Sequence, residues 1–237
     1  MSAEALPLVL VHSQLLTAEL WRAVRPAFET RGPVHCADVT RDETIGGMAE
    51  RLLADAPERF DLVALGMGGF IAFAALREAP ERIRHLVLTS TLPEADSDAQ
   101  TRRRAGYSAM VERGEFDAVA EERIPLLLGR EARDGDIAAA VREMARAVGP
   151  EAFLRQQSAI MARPDSTPML AGIVQPTLVL RGEEDGIMSD AHLEILSGTI
   201  PNARGFVVPH SGHLIPLERP EAFADAVITW LDRKDRV

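Results

Sequence analysis

The chain has 237 residues, enough for one α/β domain with a sizeable core and room for an insertion. Hydrophobic residues make up 46%, which excludes wholesale disorder, and a formal net charge of −10 argues against a phosphate backbone or an anionic membrane as partner. A single cysteine, Cys36, excludes an internal disulfide framework and fits a reducing compartment.

Residues 6–12 (LPLVLVH) form a short apolar run, the pattern of a strand buried on both faces. A loop at 13–16 leads to a predicted helix over 17–29, with Thr17 as its N-cap. Residues 33–38 read as a second, shorter strand. Ile45, Met48, Leu52 and Leu53 give 44–56 helical spacing, and Pro57 closes it. Strand three is predicted at 60–65, with a helix at 67–79 after it, and strand four at 83–90. Strands five and six follow at 176–181 and 204–208, with helices at 190–196 and 220–231.

Strands alternating with helices predict a parallel sheet wrapped on both faces. The alternation breaks once. Between 92 and 172 no strand is predicted, only helices at about 99–113, 115–128, 136–148 and 150–162, punctuated by Gly114, Gly129, Gly135, Gly149 and Pro164. The expected organisation is a core of 1–91 and 173–237 with a helical cap at 92–172. In the cap, Met110, Phe116, Leu126, Leu127, Phe153, Ile160 and Met161 fall at roughly helical spacing, most as cap core and a few toward a pocket.

The stretch DLVALGMGGFIAF, residues 61–73, turns from a buried strand straight into a helix. In one large class of enzymes such a corner holds a nucleophilic serine in the pattern G-x-S-x-G, on a turn sharp enough to favour positive φ and small neighbours; on its own it reads equally as a tight βα turn with close packing. Ala64, Gly68 and Gly69 supply the small neighbours, but the serine's place holds Gly66. Gly182-Glu183-Glu184-Asp185 follows strand five, and Ser211-Gly212-His213 follows strand six. An acid and a histidine thus sit on loops after successive strands, on the same sheet edge as the corner. In that arrangement the Asp orients the imidazole and the His acts as general base. The loop after strand one, Ser13-Gln14, can aim a backbone N–H at a developing oxyanion, with the Met67 N–H as second donor.

With these parts the sequence resembles the α/β-hydrolase superfamily, in particular small capped members of the carboxylesterase or lactonase kind. The resemblance spans nearly the whole chain, through LVLVHSQ, ALGMGGFIA, PTLVLRGEED and SGHLIPLERPEAF. It implies an α/β-hydrolase fold and hydrolysis of small, mostly apolar carboxylic esters or lactones. It implies Asp185 and His213 as acid and base, Gln14 and Met67 as oxyanion-hole N–H donors, Ser13 at the substrate, and the 92–172 helices as a cap. Two departures stand out: His12-Ser13 where the family usually has His-Gly, and Gly66 where it has Ser.

Three readings of Gly66 stay open. The chain is a serine hydrolase whose nucleophile has been removed; or an enzyme in which His213 deprotonates water or substrate without a covalent step; or a receptor that uses the pocket for a small ligand. A substitute-nucleophile role for Ser13 is the weakest of the alternatives, because that side chain usually points away from the line of attack.

The remaining candidates read as structural. His12 supports the oxyanion loop, His35, His85 and His192 are structural or exposed, and Cys36 is a small core residue. His210 and His213 are spaced H-x-x-H without a third ligand, so no metal is expected. The run Arg102-Arg103-Arg104 reads as the solvated face of a helix. No glycine loop of the dinucleotide or Walker type is present, so no cofactor is expected. The N-terminus lacks the basic region of a signal peptide, and no apolar run approaches the ~20 residues of a membrane helix. The expectation is a cytoplasmic protein acting on a small molecule, with neither nucleic acid nor membrane as partner.

Overall fold

In a computed structural model, residues 6–233 are described. Six strands, β1 (Leu8–Val11), β2 (Val34–Cys36), β3 (Phe60–Leu65), β4 (Ile83–Thr89), β5 (Thr177–Gly182) and β6 (Ala203–Val208), form one sheet in the order β2-β1-β3-β4-β5-β6. Every pairing is parallel. All residues of β1, β3 and β5 are buried, as expected for strands covered on both faces, whereas the edge strand β6 exposes Phe206 and Val207.

Helices cover both faces. On one side α2 (Ile45–Asp55), α3 (Met67–Glu78) and α7 (Asp190–Thr199) pack over the sheet. Thr44 caps α2 by accepting the Gly47 N–H at 3.0 Å, and Ile45, Met48, Ala49, Leu52 and Leu53 form its buried stripe. On the other side lie α1 (Arg25–Glu29), α8 (Ile215–Glu218) and α9 (Pro220–Leu231), with Trp21, Phe28 and Phe223 at the centre of the core. The helix expected over 17–29 is broken. Thr17 does cap a helical turn, but it is a 3-10 turn of four residues, Ala18–Trp21, and α1 restarts at Arg25 with Pro26 in its first turn, where a missing N–H is harmless.

Between β4 and β5 run α4 (Asp98–Glu112), α5 (Phe116–Leu127) and α6 (Asp136–Met161). Ser97 and Gln100 form a capping box at the start of α4. Gly149, at φ 76°, with Pro150 behind it, breaks α6 where the sequence predicts two helices. Tyr107, Val111, Val119, Ala145 and Phe153 give this segment a small core of its own, joined by Leu15 from the loop after β1.

Candidate active site

The strand order reverses beside β1: β2 lies on one side of it and β3 on the other. Ligands bind at the carboxyl edge of such a reversal. Ser13 follows β1 there, and Gly66 follows β3.

Gly66 adopts φ 57° and ψ −116°, a conformation that suits glycine. The corner is tightly held. The Gly66 N–H donates to the Thr89 carbonyl at 3.0 Å, and its own carbonyl accepts from Thr91 Oγ1 at 2.7 Å. The small neighbours are obligatory. A Cβ on Gly68 would lie 2.3 Å from the Val11 carbonyl oxygen, and one on Gly69 would lie 2.2 Å from Thr91 Oγ1. Helix α3 therefore starts in contact with the end of β1.

His213 and Asp185 meet, both buried. Nδ1–H of His213 faces both carboxylate oxygens, at 3.0 and 3.1 Å, which leaves Nε2 directed at the corner. Asp185 Oδ1 also accepts the Ile187 and Met188 N–H groups, at 2.8 and 3.0 Å. Burial alone would raise this carboxyl, but the charge and ring hydrogen bond of His213, with those two N–H groups, hold it below the ordinary range. The histidine loop is fixed from beneath by Glu218, whose carboxylate accepts the Gly212 and Gly129 N–H groups at 3.0 and 2.8 Å. Gly182, Gly212 and Gly129 stack backbone to backbone. A Cβ on Gly182 would sit 1.9 Å from the Gly212 carbonyl oxygen, and one on Gly212 would sit 2.4 Å from the Gly129 nitrogen.

Opposite the histidine stands Ser13. A Cβ on Gly66 would lie 2.6 Å from Ser13 Oγ, 2.9 Å from Ser13 Cβ and 3.1 Å from His213 Nε2. The Met67 N–H, one of the two expected oxyanion donors, donates to Ser13 Oγ at 3.1 Å. Gln14, the other expected donor, lines the same cavity, and its side-chain amide contacts Gln157. His12 Nδ1–H donates to the Ser13 carbonyl at 2.9 Å, a supporting role, and burial lowers its pKa.

These groups line one cavity of about 40 Å³, room for a few water molecules. Its wall also contains Phe70, Ser90, Leu92 and Ile187, and from the inserted helices Gln100, Arg103, Arg104, Tyr107, Arg123 and Leu126. Of the apolar residues singled out between 92 and 172, only Leu126 reaches this cavity. Phe116 packs on Phe153 with ring centroids 5.7 Å apart, and Leu127 and Ile160 belong to the main cores. The arginine run is not wholly a solvated face either: Arg104 turns inward to Asp96 (2.5 Å) and lines the cavity. Arg123, Tyr107, Ser90 and Thr91 were not anticipated as site residues. Among the described residues no group of three or more His, Cys, Asp or Glu could hold a metal, and no helix is long and apolar enough to cross a membrane.

A family model for the alpha/beta hydrolase fold matches residues 56–220. The chain belongs to the α/β-hydrolase fold family. Its relatives place it among esterase-like members. It is 26% identical over 239 residues to a pimeloyl-[acyl-carrier protein] methyl ester esterase of Edwardsiella ictaluri, covering 95% of this chain and 93% of that protein. Among solved structures, a thermophilic esterase from Thermogutta terrifontis, with malate bound, superposes with a TM-score of 0.87 at 30% identity, over 95% of this chain and 89% of that one. The enol-lactonase from Burkholderia xenovorans LB400 superposes with a TM-score of 0.87 at 22% identity, over 97% and 92% of the two chains, a likeness of fold.

Proposed function

We propose that this α/β-hydrolase is a hydrolase of small carboxylic esters or lactones in which His213 and Asp185 form the acid/base pair and Gly66 takes the nucleophile's place, so that no acyl group is carried at position 66. One observation carries this reading: the His213 imidazole, held at Nδ1 by Asp185, presents Nε2 to the point where a side chain at 66 would begin, 3.1 Å away. The esterases of Edwardsiella ictaluri and Thermogutta terrifontis support the ester class.

With no side chain at 66, the attacking group is water. His213 Nε2 takes a proton from the water as its oxygen bonds to the carbonyl carbon. Negative charge then develops on the carbonyl oxygen. In this reading the Gln14 N–H, on the loop after β1, is one donor to it. Ser13 acts as a substrate-binding donor: its oxygen accepts the Met67 N–H, which leaves its own proton to donate to the carbonyl oxygen. Collapse of the tetrahedral species breaks the bond to the leaving alkoxide, which takes the proton from the imidazolium. The helices between β4 and β5 serve as the cap that keeps bulk water from this site.

The test is hydrolysis of p-nitrophenyl acetate and butyrate, with intact-mass analysis after a fluorophosphonate. The expected result is turnover that requires His213 and no covalent adduct. An adduct on Ser13 would overturn the water mechanism. Absence of turnover, with ligand binding retained, would make the pocket a receptor.

A further inference from the structure

The inserted helices bring a charge into the cavity that no carboxylate among the described residues neutralises. Arg123 lies on the inward face of α5 and is 6% exposed, yet it lines the cavity beside the substrate position. Among the described residues no carboxylate lies within ion-pair distance of it. Its Nε is buried without a hydrogen-bond partner, and the Tyr107 ring faces its guanidinium 5.6 Å away. The one amide in reach is Gln14, whose oxygen, turned toward the arginines, accepts from Arg123 Nη2 at 3.2 Å and from Arg104 Nη1 at 3.3 Å. The neighbouring acid is already engaged: Asp96 lies between Arg104 (2.5 Å) and Arg163 (2.7 Å). Arg103 adds a further cation at the cavity's exposed rim.

A buried cation without a counter-ion works against the fold that contains it. Burial and the nearby Arg104 push Arg123 down to about 10, which still leaves it charged at neutral pH. In a chain of net charge −10, a pocket wall with this sign is a local reversal, of the kind that draws an anion into a cleft. A guanidinium fork matches a carboxylate in particular, because two parallel N–H groups meet two oxygens.

We propose that Arg123 is the anchor for a carboxylate of the substrate, so that the esters or lactones hydrolysed here carry a second, ionised carboxylate. The proposal rests on the hydrolase reading above. The Gln14 oxygen holds one nitrogen of the anchor, and Tyr107 covers its face. The short reach of the cavity restricts the substrate to small half-esters of dicarboxylic acids or the corresponding lactones.

Binding and turnover test it separately. Succinate serves as a non-hydrolysable probe in thermal denaturation at fixed ionic strength, with butyramide as the neutral control. For the unaltered protein, succinate raises the Tm and butyramide does not. Arg123→Met removes the shift and raises the Tm without ligand, because it removes an unpaired buried charge; a residue kept for packing would lower it. Arg123→Lys keeps the charge without the fork and weakens the succinate response at least tenfold. Arg130→Gln, at an exposed ion pair with Glu184, leaves the response unchanged. In turnover, kcat/KM for monomethyl succinate exceeds that for methyl butyrate at least tenfold, and Arg123→Met collapses that ratio. If Arg123→Met does not fold, the Lys variant and the selectivity of the unaltered protein decide. A succinate shift that survives in Arg123→Met, or is undiminished in Arg123→Lys, overturns the anchor. Equal turnover of the two esters overturns it and leaves the hydrolase reading standing. An Arg123-dependent shift without turnover of either ester sinks the hydrolase reading and leaves the anchor.

Discussion

Ser13 and Gly66 share the space of a single side chain: a Cβ added to Gly66 would meet Ser13 Oγ at 2.6 Å and Ser13 Cβ at 2.9 Å. The hydroxyl that the elbow lacks is present on the facing loop, hydrogen-bonded to the N–H that follows the elbow. Restoring a serine at 66 therefore requires Ser13 to give way. Gly66→Ser alone is expected to gain little esterase activity. The double variant Ser13→Gly/Gly66→Ser is expected to gain on the order of 10³-fold in kcat toward p-nitrophenyl butyrate, with a fluorophosphonate adduct at 66. A single Gly66→Ser variant as active as the double would show that the two positions do not compete.

Among the described residues His213 presents an unbonded ring nitrogen to this corner, and in the proposed mechanism its loss removes proton transfer. His213→Ala is expected to lower kcat by about 10²–10⁴-fold. Asp185→Asn leaves the ring without its charged partner and should fall into the same range, with KM nearly unchanged. Steady-state kinetics on one p-nitrophenyl ester decides both, and full activity in either variant would remove the pair from the mechanism.

The lowered pKa of Asp185 gives a pH dependence of definite sign. A carboxyl held below its unfolded value of about 3.9 contributes stability above that pH, and the contribution is lost as the pH falls through the folded value. The stability advantage of the unaltered protein over Asp185→Asn should therefore be full at neutral pH and shrink below about pH 4. Urea denaturation of both proteins at pH 7 and pH 3.5 measures it. A gap that widens at acid pH would contradict the assignment.

Gly182 is required by contact, since its Cβ would penetrate the Gly212 carbonyl, and both partners are backbone. Gly182→Ala is expected to destabilise the fold by about 1–3 kcal/mol, the usual cost of overpacking. It should also lower kcat, because the histidine loop must shift. Gly46→Ala, in open space on α2, is the control and should be neutral or slightly stabilising. Equal Tm values for the two variants would refute the stacking.

Much of this architecture is legible in the chain because buried parallel strands announce themselves: 60–65 is read from its apolar run and is β3, Phe60–Leu65. The acid and histidine were legible because both lie directly after strands, where topology alone fixes the edge they face. The interruption of 17–29 has one local signal, Pro26, which cannot sit in a helix interior without losing a hydrogen bond and instead opens α1. Arg123 was missed. Its signal is an arginine inside an apolar stripe, with Val119 and Ala120 one turn before it and Leu127 one turn after. Sequence periodicity tells which residues share that stripe. It does not tell that the stripe borders a cavity on its way into the core. The competition between Ser13 and Gly66 joins residues 53 positions apart and needed three dimensions.

The end of α5 is tied to both functional loops through main-chain hydrogen bonds. The Leu126 carbonyl accepts the Gly186 N–H at 3.2 Å, and the Leu127 carbonyl accepts the N–H groups of His213 and Leu214 at 2.9 and 3.2 Å. This attachment divides the insertion into two halves with different freedom. Substitutions near Leu126 and Leu127 carry over into the aim of the imidazole, whatever side chains they bring. Among the described residues α4 makes no main-chain hydrogen bond to the histidine loop, so its inward residues can be exchanged while the imidazole stays in register. Beyond the Arg123 anchor, selectivity in this scaffold should therefore evolve along α4, while the last turn of α5 moves with the histidine loop.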